Sequence, residues 1–358
     1  MSNATPPTPT LLFVPGSWHK PSCYDKIITP LSEQHNLRCI AITLPSTTGD
    51  PSKTFKDDVG TARDAMTAET SQGRNVVVIA HSYGGMVGNS AIKGFTNQNP
   101  KHTPGIAISR EPVDADTDAD TDTDTDTGPR GYVIGLILIA SGFTLTGLTF
   151  MDPFFNHPPP FWQVNKSTGF AELTTSPRQL FYHDLDEPEA NYWVSQLTPQ
   201  SLKSLFEGRD VSYAGWMDVP VWYLGTSLDK GLPVLVQRMQ VGMAREMKAG
   251  FGSGVVHREI VSSHSPFLSR VEETVGVVLE AVDDFRRRDG QEETGLEHRG
   301  GSERETVSAG GVVVISRTEL WTPSTWLRFG LPLAFGHVLG KGMRLYYWVK
   351  RALRSRSS

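Results

Sequence analysis

A chain of 358 residues, 38% of them apolar, holds enough hydrophobic material for one large domain or two modest ones. Its net charge of −5 argues against a nucleic-acid partner, and two cysteines, Cys23 and Cys39, are too few for a disulfide scaffold. The opening MSNATPPTPT has neither the basic nor the apolar region of a secretory signal, so a cytoplasmic, reducing setting is the expectation.

Residues 1–9 are expected to be disordered. Thr10 to Val14 (TLLFV) reads as a buried strand ending at Pro15-Gly16, a turn signal. The loop Ser17-Trp18-His19-Lys20-Pro21 leads to an expected helix over 24–34, a strand over 37–43 and an amphipathic helix over 56–71. Then comes VVVIAHSYGG, residues 76–85: an apolar, β-branched run, a sharp turn with Ser82 at its apex, and a helix over 86–95. That is the pattern of a nucleophile elbow. Small residues must flank the serine because strand and helix close on each other there, and Ala80 and Gly84 fill those positions. An ordinary strand-to-helix turn could read the same way, so the partners must come from elsewhere. Strands alternating with helices predict parallel βαβ units: an α/β fold with a doubly wound, mostly parallel sheet.

Residues 97–130 interrupt this pattern. Aspartates at 114, 116, 118, 120, 122, 124 and 126 with almost nothing apolar between them predict a disordered, low-complexity acidic insertion. A calcium loop is the competing reading, but the turn glycine and terminal glutamate of an EF-hand are missing, and no metal site is expected. Tyr132 to Ala140 returns to a central strand. Residues 143–215 are rich in proline and aromatics, with helical pieces expected over 188–196 and 199–207, and read as a cap inserted into the sheet. Phe154, Phe155, Phe161, Trp162, Phe181, Tyr182, Tyr192 and Trp193 are its aromatic stock. Most should pack cap onto body, while together they suggest an apolar pocket roof. Trp18, Phe161, Trp162, Tyr182 and Trp193 are assigned to substrate binding.

The sheet resumes over 219–224, followed by Asp229, a helix over 233–248, a strand over 255–261, His264 in its exit loop and a helix over 268–288. The body thus comprises 10–142 and 216–288. Residues 289–310 read as a linker, and 311–358 as a basic, aromatic tail with eight Lys or Arg against the single Glu319. Its longest uncharged run, 329–340, is short of the roughly twenty residues a membrane span needs and contains Pro332. Two readings of the tail stand: contact with an anionic membrane surface, or a disordered or partly ordered appendage.

Hydroxyl attack on an ester-like carbonyl needs a base for the serine proton, an acid to fix the base's tautomer and donors for the oxyanion. In a parallel sheet these converge at the carboxyl ends of strands. Ser82, Asp229 and His264 all lie there, in the chain order Ser, acid, His. Asp218 and His257 fall at the amino ends of their strands, and Asp152 lies well beyond its strand. His81 must point away from the Ser82 hydroxyl and is expected to pack. The backbone N–H groups of Tyr83 and Ser17 are the expected oxyanion donors.

The segments FVPGSWHKPSCYD (13–25), AHSYGGMV (80–87), LGTSLDKGLP (224–233) and SSHSPFLS (262–269) resemble the α/β-hydrolase superfamily, in particular its capped methylesterase and hydroxynitrile-lyase-like branch and fungal small-molecule hydrolases. The resemblance covers residues 10–288 apart from the acidic insertion. It implies Ser82 as nucleophile, His264 as base, Asp229 as orienting acid, Ser17 and Tyr83 amides as oxyanion donors, and no cofactor. Pro15-Gly16 replaces the usual His-Gly, and Ser265 stands where the lyase branch has a lysine, which disfavours cyanohydrin cleavage. The leading expectation is a serine hydrolase acting on a small, largely apolar ester, lactone or thioester. A lyase or cyclase using the same triad and a ligand-binding member without turnover are the alternatives.

Overall fold

The computed structural model describes residues 8–97, 131–249, 254–294, 312–314, 323 and 326–354. The expected acidic insertion lies outside these residues, as do most of the N-terminus expected to be disordered and most of the expected linker.

The chain begins with β1 (Thr10–Val14), α1 (Asp25–Glu33), β2 (Cys39–Ala41), α2 (Phe55–Thr70), β3 (Val76–His81), α3 (Tyr83–Ala91) and β4 (Val133–Ile139). Every residue of β1, β3 and β4 is buried, as a parallel sheet covered on both faces demands. Helix α2 starts at a capping box, in which the Asp57 carboxylate accepts from the Thr54 N–H (2.7 Å) and the Thr54 hydroxyl oxygen accepts from the Asp57 N–H (3.3 Å). At its other end Glu69 accepts from the Thr10 hydroxyl (2.7 Å), Arg38 (3.0 Å) and Arg74 (2.5 Å), which ties α2 to the amino end of β1. Arg74 foremost, with help from Arg38 and Thr10, holds the Glu69 carboxyl down at about 2 against the opposing effect of burial.

Between β4 and the next sheet strand lies the cap: β5 (Trp162–Asn165), β6 (Phe170–Leu173), α4 (Pro177–Phe181), α5 (Glu187–Gln196), β7 (Gln200–Ser201) and α6 (Leu202–Phe206). The sequence suggests only helices here. The structure adds a three-stranded antiparallel sheet, β5-β6-β7, and the stretch expected as a helix over 199–207 is a two-residue strand followed by the single turn of α6. Gln200 and Ser201 are wholly buried, and the Ser201 hydroxyl donates to the Pro51 and Lys53 carbonyls of the body (3.1 and 2.7 Å), which fixes the cap's exit.

The body continues with β8 (Val221–Thr226), α7 (Val234–Met247), β9 (Val255–Ile260), α8 (Pro266–Ser269) and α9 (Val271–Thr294). Helix α9 runs past the boundary expected at 289, because the Asp289 carboxylate accepts from Tyr132 (2.6 Å) and Asn75 (3.1 Å) at the base of the sheet. An edge strand β10 (Val312–Val314) and helix α10 (Leu331–Arg354) complete the described chain. The sheet order is β2-β1-β3-β4-β8-β9-β10, parallel except for β10, which runs antiparallel to β9. From β1 the chain moves outward to β2 and then returns to the other side of β1 as β3. The sheet therefore switches winding direction between β1 and β3, and at such a point the loops leaving the carboxyl ends open a crevice.

Candidate active site

Ser82 leaves β3 at that crevice with φ 52° and ψ −125°, a conformation that costs a non-glycine residue about 1–3 kcal/mol. Only a tight crossing of α3 over β1 can hold it there. Gly84 makes the crossing: a Cβ at this position would lie 2.4 Å from the Val14 carbonyl oxygen and 2.3 Å from that of Pro15. Ser141 braces the turn from β4, its hydroxyl donating to the Ser82 carbonyl at 2.6 Å.

His264, in the loop after β9, lies with Nε2 3.0 Å from the Ser82 Oγ and Nδ1 2.7 Å from the Asp229 Oδ2. Asp229, in the loop after β8, is 8% exposed and its oxygens are crowded with donors. Oδ1 accepts from the N–H groups of Gly231 (2.7 Å) and Leu232 (2.8 Å), and Oδ2 from the Thr226 hydroxyl (2.8 Å) and Gln237 Nε2 (3.1 Å). A carboxylate only accepts, so the neutral imidazole directs its Nδ1–H at Asp229 and leaves Nε2 to receive the Ser82 proton. Ser82 itself is half-buried, within reach of a ligand.

The His264 loop is pinned from both sides. From below, His81 Nε2 donates to the His264 carbonyl at 2.9 Å. Burial foremost, then the neighbouring His264 and His19, hold the His81 imidazole well below its ordinary value, so it is a neutral strut. From above, Asp184 of the cap accepts the Ser263 N–H at 2.8 Å, and the Ser263 hydroxyl donates to the Phe181 carbonyl at 2.7 Å. His81 thus points away from the Ser82 hydroxyl, as the elbow geometry demands, but it also sets the height of the His264 backbone.

The loop after β1 closes the other side of the elbow. A Cβ at Gly16 would lie 3.0 Å from the Ser82 Cβ and 2.9 Å from the His81 Nδ1, so this loop runs against the elbow only because residue 16 has no side chain. Trp18 takes φ 63°, and its carbonyl accepts from the Thr198 N–H at 2.9 Å. Tyr83 is the first residue of α3, so its N–H has no acceptor within the helix. Below the loop, His19 Nδ1 donates to the Ser17 carbonyl (2.7 Å), and Nε2 accepts from the Tyr182 hydroxyl (2.8 Å). Burial lowers His19 to about 4, which keeps this chain of hydrogen bonds neutral.

Most of the aromatic residues assigned to substrate binding make packing contacts. Trp18 donates its indole N–H to the Ala171 carbonyl of β6 (3.1 Å), a strap between first loop and cap. Trp162 is buried edge-on against Phe206, and Phe161 is half-buried against the core. Tyr182 and Trp193 border, with His19 and Cys23, a cavity of about 10 Å³, room for a single water and not for a substrate. The ring that does meet the triad is Phe181, 5.6 Å from the His264 ring centroid and 5.2 Å from that of His19. The turn that ends α4 sends the two neighbouring rings to different partners, Phe181 to His264 and the Tyr182 hydroxyl to His19. Among the described residues no cluster of side chains is suited to a metal ion.

A serine, an imidazole and a carboxylate in relay at the switch point of a parallel sheet, beneath an inserted cap, define an α/β protein with a nucleophile elbow. The family model for the "Alpha/beta hydrolase family" matches residues 11–277, and the chain belongs to that family. It is 24% identical over 279 residues to the alpha/beta hydrolase nvfD of Aspergillus novofumigatus (strain IBT 16806), a match spanning 76% of this chain and 96% of that protein. Among solved structures, polyneuridine aldehyde esterase superposes with a TM-score of 0.54 at 17% identity, over 76% of this chain and 99% of that one. A pyrethroid hydrolase from Sphingobium faniae JZ-2 gives 0.51 at 18% identity, over 77% of this chain and 97% of that one.

Proposed function

We propose that this esterase-like hydrolase is a serine enzyme that cleaves a small, largely apolar ester, lactone or thioester through an acyl-enzyme. The observation that carries the reading is the continuous relay from Ser82 Oγ to His264 Nε2 and from His264 Nδ1 to Asp229, at 3.0 and 2.7 Å. In the first half-reaction Ser82 Oγ bonds to the carbonyl carbon as its proton passes to His264 Nε2, and the carbonyl electron pair moves onto oxygen. The Tyr83 and Ser17 N–H groups are assigned as the donors to that oxyanion, each worth on the order of 2.7 to 4 kcal/mol in comparable sites. Collapse of the tetrahedral species expels the alkoxide or thiolate, which takes the proton from His264. Water then repeats the sequence on the acyl-enzyme, giving its proton to His264 and releasing the acid and free Ser82.

Phe181 over the imidazole favours an apolar acyl or alcohol group, since it offers no hydrogen bond to a polar one. The names of the fold relatives, an esterase and a pyrethroid hydrolase, agree with this class of chemistry. Turnover of an ester panel in ¹⁸O-labelled water tests the reading: one labelled oxygen is expected in the acid product, and the Ser82→Ala variant is expected to lose activity by a factor on the order of 10³ or more. Product free of label would overturn hydrolysis in favour of lyase or cyclase chemistry.

A further inference from the structure

Helix α10 is long, lies on the outside of the body and leaves an apolar stripe uncovered. Its inner face packs on α7 at backbone distance: a Cβ at Gly336 would meet the Met239 carbonyl oxygen at 2.0 Å, and one at Gly340 the Met243 carbonyl oxygen at 2.8 Å. Arg238 of α7 donates to the Arg328 carbonyl at 2.6 Å, and Arg344 reaches Glu246 at 3.2 Å, so the helix is fastened at several points.

The opposite face carries Leu331, Phe335, Val338, Leu345, Val349 and Leu353, at the three- and four-residue spacings that line up along a helix. Phe335, Val338, Leu345 and Leu353 are 60 to 67% exposed. No charged residue breaks the stripe, and at 1.5 Å per residue the 24-residue helix gives it a length of about 36 Å. Exposed aromatics mark its edges, Trp326 at the entry and Trp348 to one side.

Charge decides what covers it. Residues 326–354 contain six Lys or Arg and no Asp or Glu, in a chain whose net charge is −5. Among residues with described side chains, Arg328 and Lys341 are exposed close to the stripe. Two copies meeting through this face would bring the cations of both tails together, whereas an anionic lipid surface accepts the cations at the headgroups and the stripe below them. No helix among the described residues is long and apolar enough to cross a membrane, so the arrangement is one for lying in the interface. We infer that α10 is a membrane-docking helix that seats the body on anionic lipid, with its apolar stripe at the acyl boundary and Arg328 and Lys341 at the headgroups.

Flotation of the full-length chain with phosphatidylcholine vesicles, with and without phosphatidylserine, tests this. Binding is expected with phosphatidylserine, to be weakened by salt and much lower on phosphatidylcholine alone. Replacing Arg328 and Lys341 together by Glu should lower the partition coefficient at least about fivefold for each cation lost. Phe335→Ser with Val338→Ser should lower it more than about tenfold, with circular dichroism reporting whether each variant is folded. Should a variant misfold, the lipid and salt dependence of the unmodified chain still decides. A chain that ignores both kinds of vesicle, or one that binds them equally, overturns the inference. So does a concentration-dependent dimer that Phe335→Ser dissolves, because the stripe would then belong to a second copy.

Discussion

At the residue scale, the relay makes quantitative demands on Asp229. Asp229→Asn keeps the shape but lets the side chain donate toward His264 Nδ1, which favours the wrong tautomer, and kcat is expected to fall by a factor on the order of 10⁴ with KM little changed. Steady-state kinetics on any ester the enzyme turns over checks this. A second demand explains why the elbow tolerates Ala80. A Cβ added at Gly88 would lie 3.1 Å from the Ala80 Cβ and 3.0 Å from the Val78 Cγ1, so the methyl at 80 fits because α3 has a glycine facing it. Gly88→Ala should therefore destabilise the fold by about 1–3 kcal/mol through overpacking, and a double-mutant cycle with Ala80→Gly should show favourable coupling in thermal unfolding. Ser82, Asp229 and His264 were legible from sequence because each lies where a strand leaves the sheet. Phe181 was legible only as one of eight cap aromatics, and Asp184 and the supporting role of His81 were not, since their partners come from segments distant in the chain and only folding brings them within 2.8 and 2.9 Å.

At the scale of elements, the periodicity of apolar residues located the parallel strands and the helices between them, because a doubly covered strand must be apolar throughout. The cap sheet was hidden for the opposite reason: β5 and β6 mix polar and apolar residues on short, half-covered strands. Polar anchors between elements were equally invisible, and Glu69 is the clearest case. Its carboxyl lies at about 2 in the folded chain against an ordinary 4.5. A depressed acid stabilises the fold fully above its unfolded value, and the contribution is lost as pH falls from about 4.5 through about 2. Glu69→Gln should therefore be less stable than the unmodified protein at neutral pH, and the difference should shrink over that interval. Chemical denaturation at several pH values measures it, and a difference independent of pH would count against the anchor.

For the whole molecule, the tail is where sequence and structure part furthest. Pro332 lies in the uncharged run of the tail, yet the helix continues through it: the helical residues 326–330 lead directly into α10. Gly336 and Gly340 lower helix propensity, but they are what lets α10 approach α7 so closely. The helix's packing partner, α7, lies about a hundred residues earlier in the chain, and the composition of the tail gives no sign of it. The cap's straps to the body, from Trp18 to Ala171 and from Ser263 to Asp184, reach the loop after β1 and the loop that carries His264. Opening the cap would therefore disturb binding and chemistry together.

The central claim, that Ser82 is a nucleophile activated by His264 and Asp229, is tested most directly by intact-mass spectrometry after exposure to a fluorophosphonate. The account predicts one covalent adduct, mapped to Ser82, absent from Ser82→Ala and formed at least on the order of 10³-fold more slowly in His264→Ala. A folded protein that takes up no label, or takes it up at another residue, would contradict it.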